Sequence, residues 1–512
     1  MSNKTANNQR IAKNTILLYM RMVFSMLVAL YTSRVILNAL GEDDFGIYGV
    51  VGGIVTFFNI ISGSLNSAIT RFLTFELGKD NKERLSRVFS TSVNIQVFMS
   101  LLFFIFAEVV GVWFLENKMN IPADRMIAAH WVLQCSIVSF IIGLISVPYN
   151  AAIIAHEHMG AFAYLSILST FLNLGVAIVI DFVSWDKLIF YAFAILGINA
   201  LMRIIYGVYC KKHFQEAKWR WVWDKPLMKE MTGFAGWNFL GASSGVLLGQ
   251  GVGILVNIFF GVAVNAARGI AGQVDNAINM LVNNFTMALN PQITKSYASG
   301  DLSYMHDLVC KGSKYCFYIM LIPAVPILME TPQILTIWLK QVPDYTIIFT
   351  RLTILISLNA VLSQTLITAM LATGNIKKYQ IIVGGLNLSI FPMAYIAFNL
   401  GLPPYSSYVI QFVVFCIELG ARIILLRKMI KLSIWKFLND VLFRIIFVTI
   451  IASILPSIML MTMSESYTRL IFIILSSIIC TLSTIYYLGL SINERVWINQ
   501  KIYHIYLNII KR

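Results

Sequence analysis

Long apolar stretches, separated by short polar segments, recur along the whole chain, at about 14–38, 47–69, 89–115, 127–151, 161–183, 188–209, 233–258, 266–290, 312–337, 346–371, 380–400, 406–426, 441–463 and 470–490. Each has about the ~20 residues that a helix needs to cross a bilayer. Within them apolar residues run continuously instead of alternating with polar ones, which excludes barrel strands; a helix satisfies its own backbone in lipid. The pattern predicts an all-α polytopic membrane protein of about fourteen transmembrane helices. The eighth stretch is so polar that its placement rests on position and periodicity.

Composition sharpens this. Hydrophobic residues make up 58% of the chain and charged residues 12%, against ~25% charged in a soluble domain. That is too little charge to cover a water-facing surface. The net charge of +15 is scattered in small groups between the apolar stretches. With the N-terminus inside, the inside segments hold several times more Lys and Arg than the outside loops, so both termini are expected in the cytoplasm. One inside loop, 155–160, departs from the rule, with His156, Glu157 and His158 and no Lys or Arg. Such scatter argues against a nucleic-acid partner. The basic segment 211–229, with Trp219, Trp221 and Trp223, suits the lipid headgroup layer. A basic tail (Lys4, Arg10, Lys13) precedes an apolar run longer than a signal peptide's, which reads as a retained span.

Shifting the sequence by 220 residues lays the second stretch over the eighth. Gly41 then falls on Gly261, Gly49 on Gly269, Gly52 on Gly272 and Asn59 on Asn279; at nearby shifts Glu108 meets Glu330 and Arg203 meets Arg422. The common order and spacing imply a duplication of six spans. Six is even, so the copies share one orientation and are expected to be related by a pseudo-twofold along the membrane normal. The expected organisation is a six-helix bundle over 1–210, a cytoplasmic linker over 211–232, a second six-helix bundle over 233–428, and two additional helices with a cytoplasmic tail over 429–512.

Candidate chemistry lies inside these spans. Asn265, Arg268, Gly272, Asn276, Asn279, Asn283, Thr286 and Asn290 follow helical spacing and mark one polar stripe down the eighth span. Tyr48, Gly52, Thr56, Asn59, Gly63, Asn66 and Thr70 repeat it in the second. Polar side chains are costly against lipid, so each stripe faces protein or water. Packed interhelical hydrogen bonds would explain one or two such residues; a stripe of full depth, present twice, favours a wet cavity. Gly241, Gly245, Gly249 and Gly253 form a small-residue ridge on the seventh span, read as close helix packing or as a hinge. Arg21 lies about two turns into the first span, with Arg34 near that span's outer end. Arginine keeps its charge and grips phosphate with a bidentate fork, so Arg21, Arg34 and Arg268 imply an anionic cargo. Among the in-span acids, Asp275 beside the stripe is a candidate for ion coupling, while Asp181 and Glu330, near outer ends, are expected to be hydrated. Arg203 and Arg422 are expected to snorkel to the cytoplasmic interface. The six histidines form no ligand set and no phosphate-cradling loop is present. No catalytic residue, metal or cofactor is therefore expected, and only H+ or Na+ as a coupling ion.

The segment from Arg10 to Tyr48, a basic tail, a first span and a short loop ending in Gly41, Phe45, Gly46 and Tyr48, resembles the opening of bacterial O-antigen and polysaccharide flippases. These belong to the multidrug/oligosaccharidyl-lipid/polysaccharide exporter superfamily. The resemblance implies an ion-coupled, alternating-access flippase in the bacterial inner membrane that moves undecaprenyl-pyrophosphate-linked oligosaccharide for surface polysaccharide synthesis. It implies that spans one, two, seven and eight surround a cationic cavity, and that other polysaccharide-assembly proteins are partners. The main alternative is a multidrug efflux transporter of that superfamily, whose cationic cargo would call for acids where this chain has Arg21 and Arg268. A membrane-embedded glycan polymerase or acyltransferase is more distant, since the outer loops are short.

Overall fold

The computed structural model describes residues 2–56, 59–117, 121–339 and 342–492, with 494–496 and 499. Among them all regular structure is helical. In chain order the α-helices are α1 (Ser2–Thr56), α2 (Asn59–Gly78), α3 (Lys82–Phe106), α4 (Val112–Asn117), α5 (Met126–Ala155), α6 (Met159–Val179), α7 (Lys187–His213), α8 (Lys225–Ala298), α9 (Leu302–Met329), α10 (Thr331–Leu339), α11 (Thr346–Ala360), α12 (Gln364–Thr373), α13 (Lys377–Asn399), α14 (Ser406–Ile430), α15 (Ile434–Phe437), α16 (Arg444–Thr462) and α17 (Tyr467–Thr484).

Among the described residues, 10 helices are long and apolar enough by length and composition to cross a membrane. They are α3 with α4, α5, α6, α7, α9, α11 with α12, α13, α14, α15 with α16, and α17, short neighbouring turns included. The first, second, seventh and eighth predicted spans are helical as well, in α1, α2 and α8. Their polar positions lower the hydropathy of two of them, and of the first and seventh only the shorter segments Asn14–Ala29 and Gly251–Gly261 stand out as apolar.

The duplication is written in the backbone. Helices α1 and α8 each run through one non-helical residue, Gly41 (φ 79°, ψ 172°) and Gly261 (φ 83°, ψ −179°), 220 positions apart. The same interval separates the left-handed residues Asp80 and Gly300, the ends of α2 and α8, and the starts of α3 and α9 and of α5 and α11. A positive φ combined with an extended ψ is open essentially only to glycine, and forcing a side chain there costs ~1–3 kcal/mol. Gly261→Ala should therefore lower stability by about that amount, read as a fall in the melting temperature of the detergent-solubilised protein. An alanine variant melting like the wild type would show that the kink does not need glycine.

By packing, the chain divides into two compact units, residues 1–243 with 287–301, and residues 244–286 with 302–512. In the first unit, Val51, Leu133, Ile137 and Leu188 centre the core. Tyr48 packs edge-on against Tyr191, with ring centroids 4.7 Å apart. Tyr48 thus belongs to the core, not to a wet stripe. Just beyond the Gly41 kink, Asp44 accepts hydrogen bonds from Arg125 (2.5 and 2.8 Å), and Arg125 also donates to Asp186 (2.5 Å), which caps α7. Burial would raise the Asp186 carboxyl, but the Arg125 guanidinium together with the Ile189 and Leu188 backbone N–H groups outweighs it and holds it below the usual carboxylate range.

In the second unit, Leu248, Val252, Val256, Ile390 and Ala394 pack α8 against α13. Glu330, the one residue between α9 and α10, is 1% exposed. It takes both prongs of the Arg469 fork, at 2.8 and 3.0 Å. The expectation that Glu330 is hydrated is thus corrected: α17 supplies Arg469, three residues into its first turn, and the pair ties the last helices to α9 and α10.

Candidate functional site: a cavity between two guanidinium groups

The Gly261 kink folds α8 back on itself, so its two arms face each other within the second unit. Arg268, seven residues after the kink, donates to the Gly249 carbonyl on the preceding arm. Its Nη1 would stand 2.6 Å from a Cβ placed at Gly253, with Asn265 Oδ1 at 3.7 Å. Glycine at 253 therefore makes room for the guanidinium. Among the described residues no carboxylate lies within ion-pair distance of Arg268, which leaves its charge uncompensated by a partner acid.

Arg268 lines a cavity of about 640 Å³ walled by α8, α11, α12, α13 and α14. Gly245 and Gly249 form part of the wall. A methyl group at either would meet nothing within 4 Å. The close-packing reading of the ridge is corrected at these two positions: they are open cavity wall. The close approach lies one face round, at Gly251, where a Cβ would come within 2.9 Å of the Phe391 ring. Gly253 is tight as well, but against Arg268, while Gly241 belongs to the other unit.

The stripe residues divide. Asn276 lines the cavity. Asn283 is exposed. Asn279 turns away from the cavity to donate to Asp275 Oδ1 (2.8 Å) and to Ser357 Oγ (3.4 Å). Asp275 accepts from Ser357 Oγ as well, so its carboxylate is held by two neutral donors and not by an arginine.

The sequence reading missed the far wall. Arg422, expected to snorkel, is 8% exposed and lines the same cavity as Arg268. It donates to Ser363 Oγ (3.0 Å) and Tyr379 OH (3.4 Å) and pairs with Glu418 Oε2 at 2.9 Å. The signal available was the spacing: Glu418 and Arg422 are four apart, on one face of α14.

In the first unit, Arg21 stands over the Phe162 ring at 5.0 Å and donates to Ser166 Oγ at 3.4 Å. Both partners lie on α6, so Arg21 is drawn toward that helix, within its own unit. Asn66 is half-buried, and among the described residues its Oδ1 has no hydrogen-bond partner. The side chains of Arg34 and Asn59 lie outside the described residues. The anomalous loop at 155–160 also finds an explanation. Glu157, 4% exposed, pairs with Arg10 (3.0 Å) and Lys295 (2.5 Å) and accepts from Gln292 (2.6 Å). Its neighbours on α1 and α8 supply the positive charge that the loop itself lacks.

This is a multi-pass helical membrane protein whose second unit encloses a polar cavity with two arginines in its wall. The chain belongs to the polysaccharide biosynthesis protein family, which matches residues 11–297, rather more than half its length. A curated relative, the uncharacterized membrane protein EpsK of Bacillus subtilis (strain 168), is 21% identical over 131 residues, covering 25% of this chain and 26% of EpsK. The chain thus aligns with only about a quarter of that relative. Among solved structures, an outward-facing multidrug resistance MATE family transporter of the MOP superfamily has the same fold. Its TM-score is 0.72 at 12% identity, over 83% of this chain and 96% of that one. A MOP superfamily transporter from Pyrococcus furiosus, described as having a binding pocket of reverse polarity, gives 0.65 at 12% identity, over 82% and 96%.

Proposed function

We propose that the chain is a flippase of the bacterial inner membrane, with both termini cytoplasmic. Its cargo is a lipid-linked oligosaccharide, carried on undecaprenyl pyrophosphate and turned across the bilayer for surface polysaccharide synthesis by ion-coupled alternating access. Arg268 is the observation that carries this reading: a guanidinium in the wall of a roomy polar cavity, held by a backbone carbonyl and not by an acid. Such a group stays charged and offers its remaining N–H donors to a phosphate. The family match speaks for polysaccharide synthesis. The fold speaks equally for multidrug efflux, so cavity polarity is what separates the two. Drug cations would be repelled by a wall that, among the described residues, holds Arg268 and Arg422 against the single acid Glu418.

Deletion of the gene tests the choice. The flippase reading predicts loss of surface polysaccharide with lipid-linked intermediate accumulating in the inner leaflet. Intact surface glycan together with drug hypersensitivity contradicts it.

A further inference from the structure

Arg422 has the chemistry of a phosphate ligand but is occupied. Its Nη2 is held by Glu418 Oε2 at 2.9 Å, and its remaining contacts are to neutral hydroxyls, Ser363 and Tyr379. Glu418 is 1% exposed and lines the cavity. Among the described residues its second oxygen, Oε1, has no hydrogen-bond partner. A buried carboxylate with an unsatisfied oxygen is costly. Glu330 has both oxygens on Arg469, whereas Glu76 and Glu494, each paired with one cation, also keep one unpartnered oxygen among the described residues; what sets Glu418 apart is its place in the wall of the cavity that Arg268 and Arg422 line. The Glu418 pair is half built.

We propose that Glu418 is a tethered competitor for Arg422: when it takes up a proton, Arg422 is freed to join Arg268 as the second guanidinium of a diphosphate-binding site. This rests on the flippase reading and extends it. With Glu418 ionised the wall carries one net positive charge; with Glu418 protonated it carries two, matched to the two negative charges of a diphosphate diester. The proton comes from water and goes onto a Glu418 oxygen, and no covalent bond of the cargo changes. Among the described residues, the charged and titratable groups that line the cavity with Glu418 are Arg422 and Tyr408 on α14 and Arg268 on α8, with Tyr379 of α13 on Arg422 and Asp275 of α8 near Tyr408. α11, the turn after it and α12 present the uncharged Thr353, Ser363 and Gln364 to the cavity.

Because binding and proton uptake then favour each other, they are reciprocally linked. Affinity rises as pH falls and weakens by up to about tenfold per pH unit as pH rises through the titration of Glu418. The probe is a short-chain prenyl diphosphate ester of N-acetylglucosamine, whose own charge is constant between about pH 6 and about pH 8. Titration calorimetry on the intact purified protein, in two buffers of different ionisation enthalpy, counts protons directly. The expected result is uptake of about one proton per probe bound. Glu418→Gln should abolish the uptake and bind at the upper pH at least as tightly as wild type, whereas Asp275→Asn should keep it. Binding by the wild type without proton uptake, or uptake that survives Glu418→Gln, overturns the proposal while leaving the flippase reading intact. No binding of the probe by the wild type overturns both. If Glu418→Gln does not fold, the wild-type proton count still decides.

Discussion

Arg268→Ala is expected to abolish surface polysaccharide in a complemented deletion strain while the protein stays folded in the membrane. The side chain is half-buried, and among the described residues it touches the Gly249 carbonyl and the space above Gly253. Truncation therefore opens no packed core. What it removes is a charged donor set at the cavity wall. A hydrogen bond to a charged group contributes ~1.5–3 kcal/mol, so its loss weakens cargo binding by roughly 10–150-fold. Arg268→Lys keeps the charge but not the fork, and should restore only part of the export. Normal surface glycan from Arg268→Ala, with the protein present at wild-type level, would remove Arg268 from the transport route.

Arg469→Met should produce the largest loss of stability. Arg469 and Glu330 are both buried, and both Glu330 oxygens are spent on Arg469. Removing one partner leaves an uncompensated charge inside, which costs ~3–5 kcal/mol. The double change Glu330→Met with Arg469→Met removes both charges, and should recover most of the stability because a buried pair returns little over an apolar replacement. Melting of the three purified proteins in detergent measures this. A single mutant as stable as the double would mean that the pair is solvated, contrary to its burial.

Much of the fold could be read from the sequence because lipid imposes a simple rule: continuous apolar runs of helical length become helices. The 220-residue repeat was also legible, and Gly41 and Gly261, aligned first as matching letters, are the two positions where the backbone leaves the helix. The site was less legible. Arg268 and Asn276 stand at the cavity, since periodicity alone places them on one face of α8. Arg422 and Glu330 were misread because depth along a helix says nothing about which neighbour is alongside. Arg422 looked like an end-of-helix residue, yet Glu418, Ser363 and Tyr379 enclose it; Glu330 looked like a hydrated acid near the outer end of a span until α17, 139 positions later in the chain, brought Arg469. Gly245 and Gly249 were misread for a related reason. A row of small residues serves close packing and open cavity wall equally, and only the position of the facing helix distinguishes them. Asp275 sat beside the polar stripe in sequence, and the donors on its Oδ1, Ser357 and Asn279, were not legible there.

The most direct measurement is reconstitution. Purified protein in liposomes, supplied with a fluorescent lipid-linked oligosaccharide in one leaflet and a membrane-impermeant quencher, reports movement across the bilayer. Wild-type protein should move the lipid well above the protein-free rate, and Arg268→Ala should fall to that background. Equal rates for wild type and Arg268→Ala, or a wild type no faster than empty liposomes, would contradict a guanidinium-lined cavity that carries a diphosphate-linked glycan.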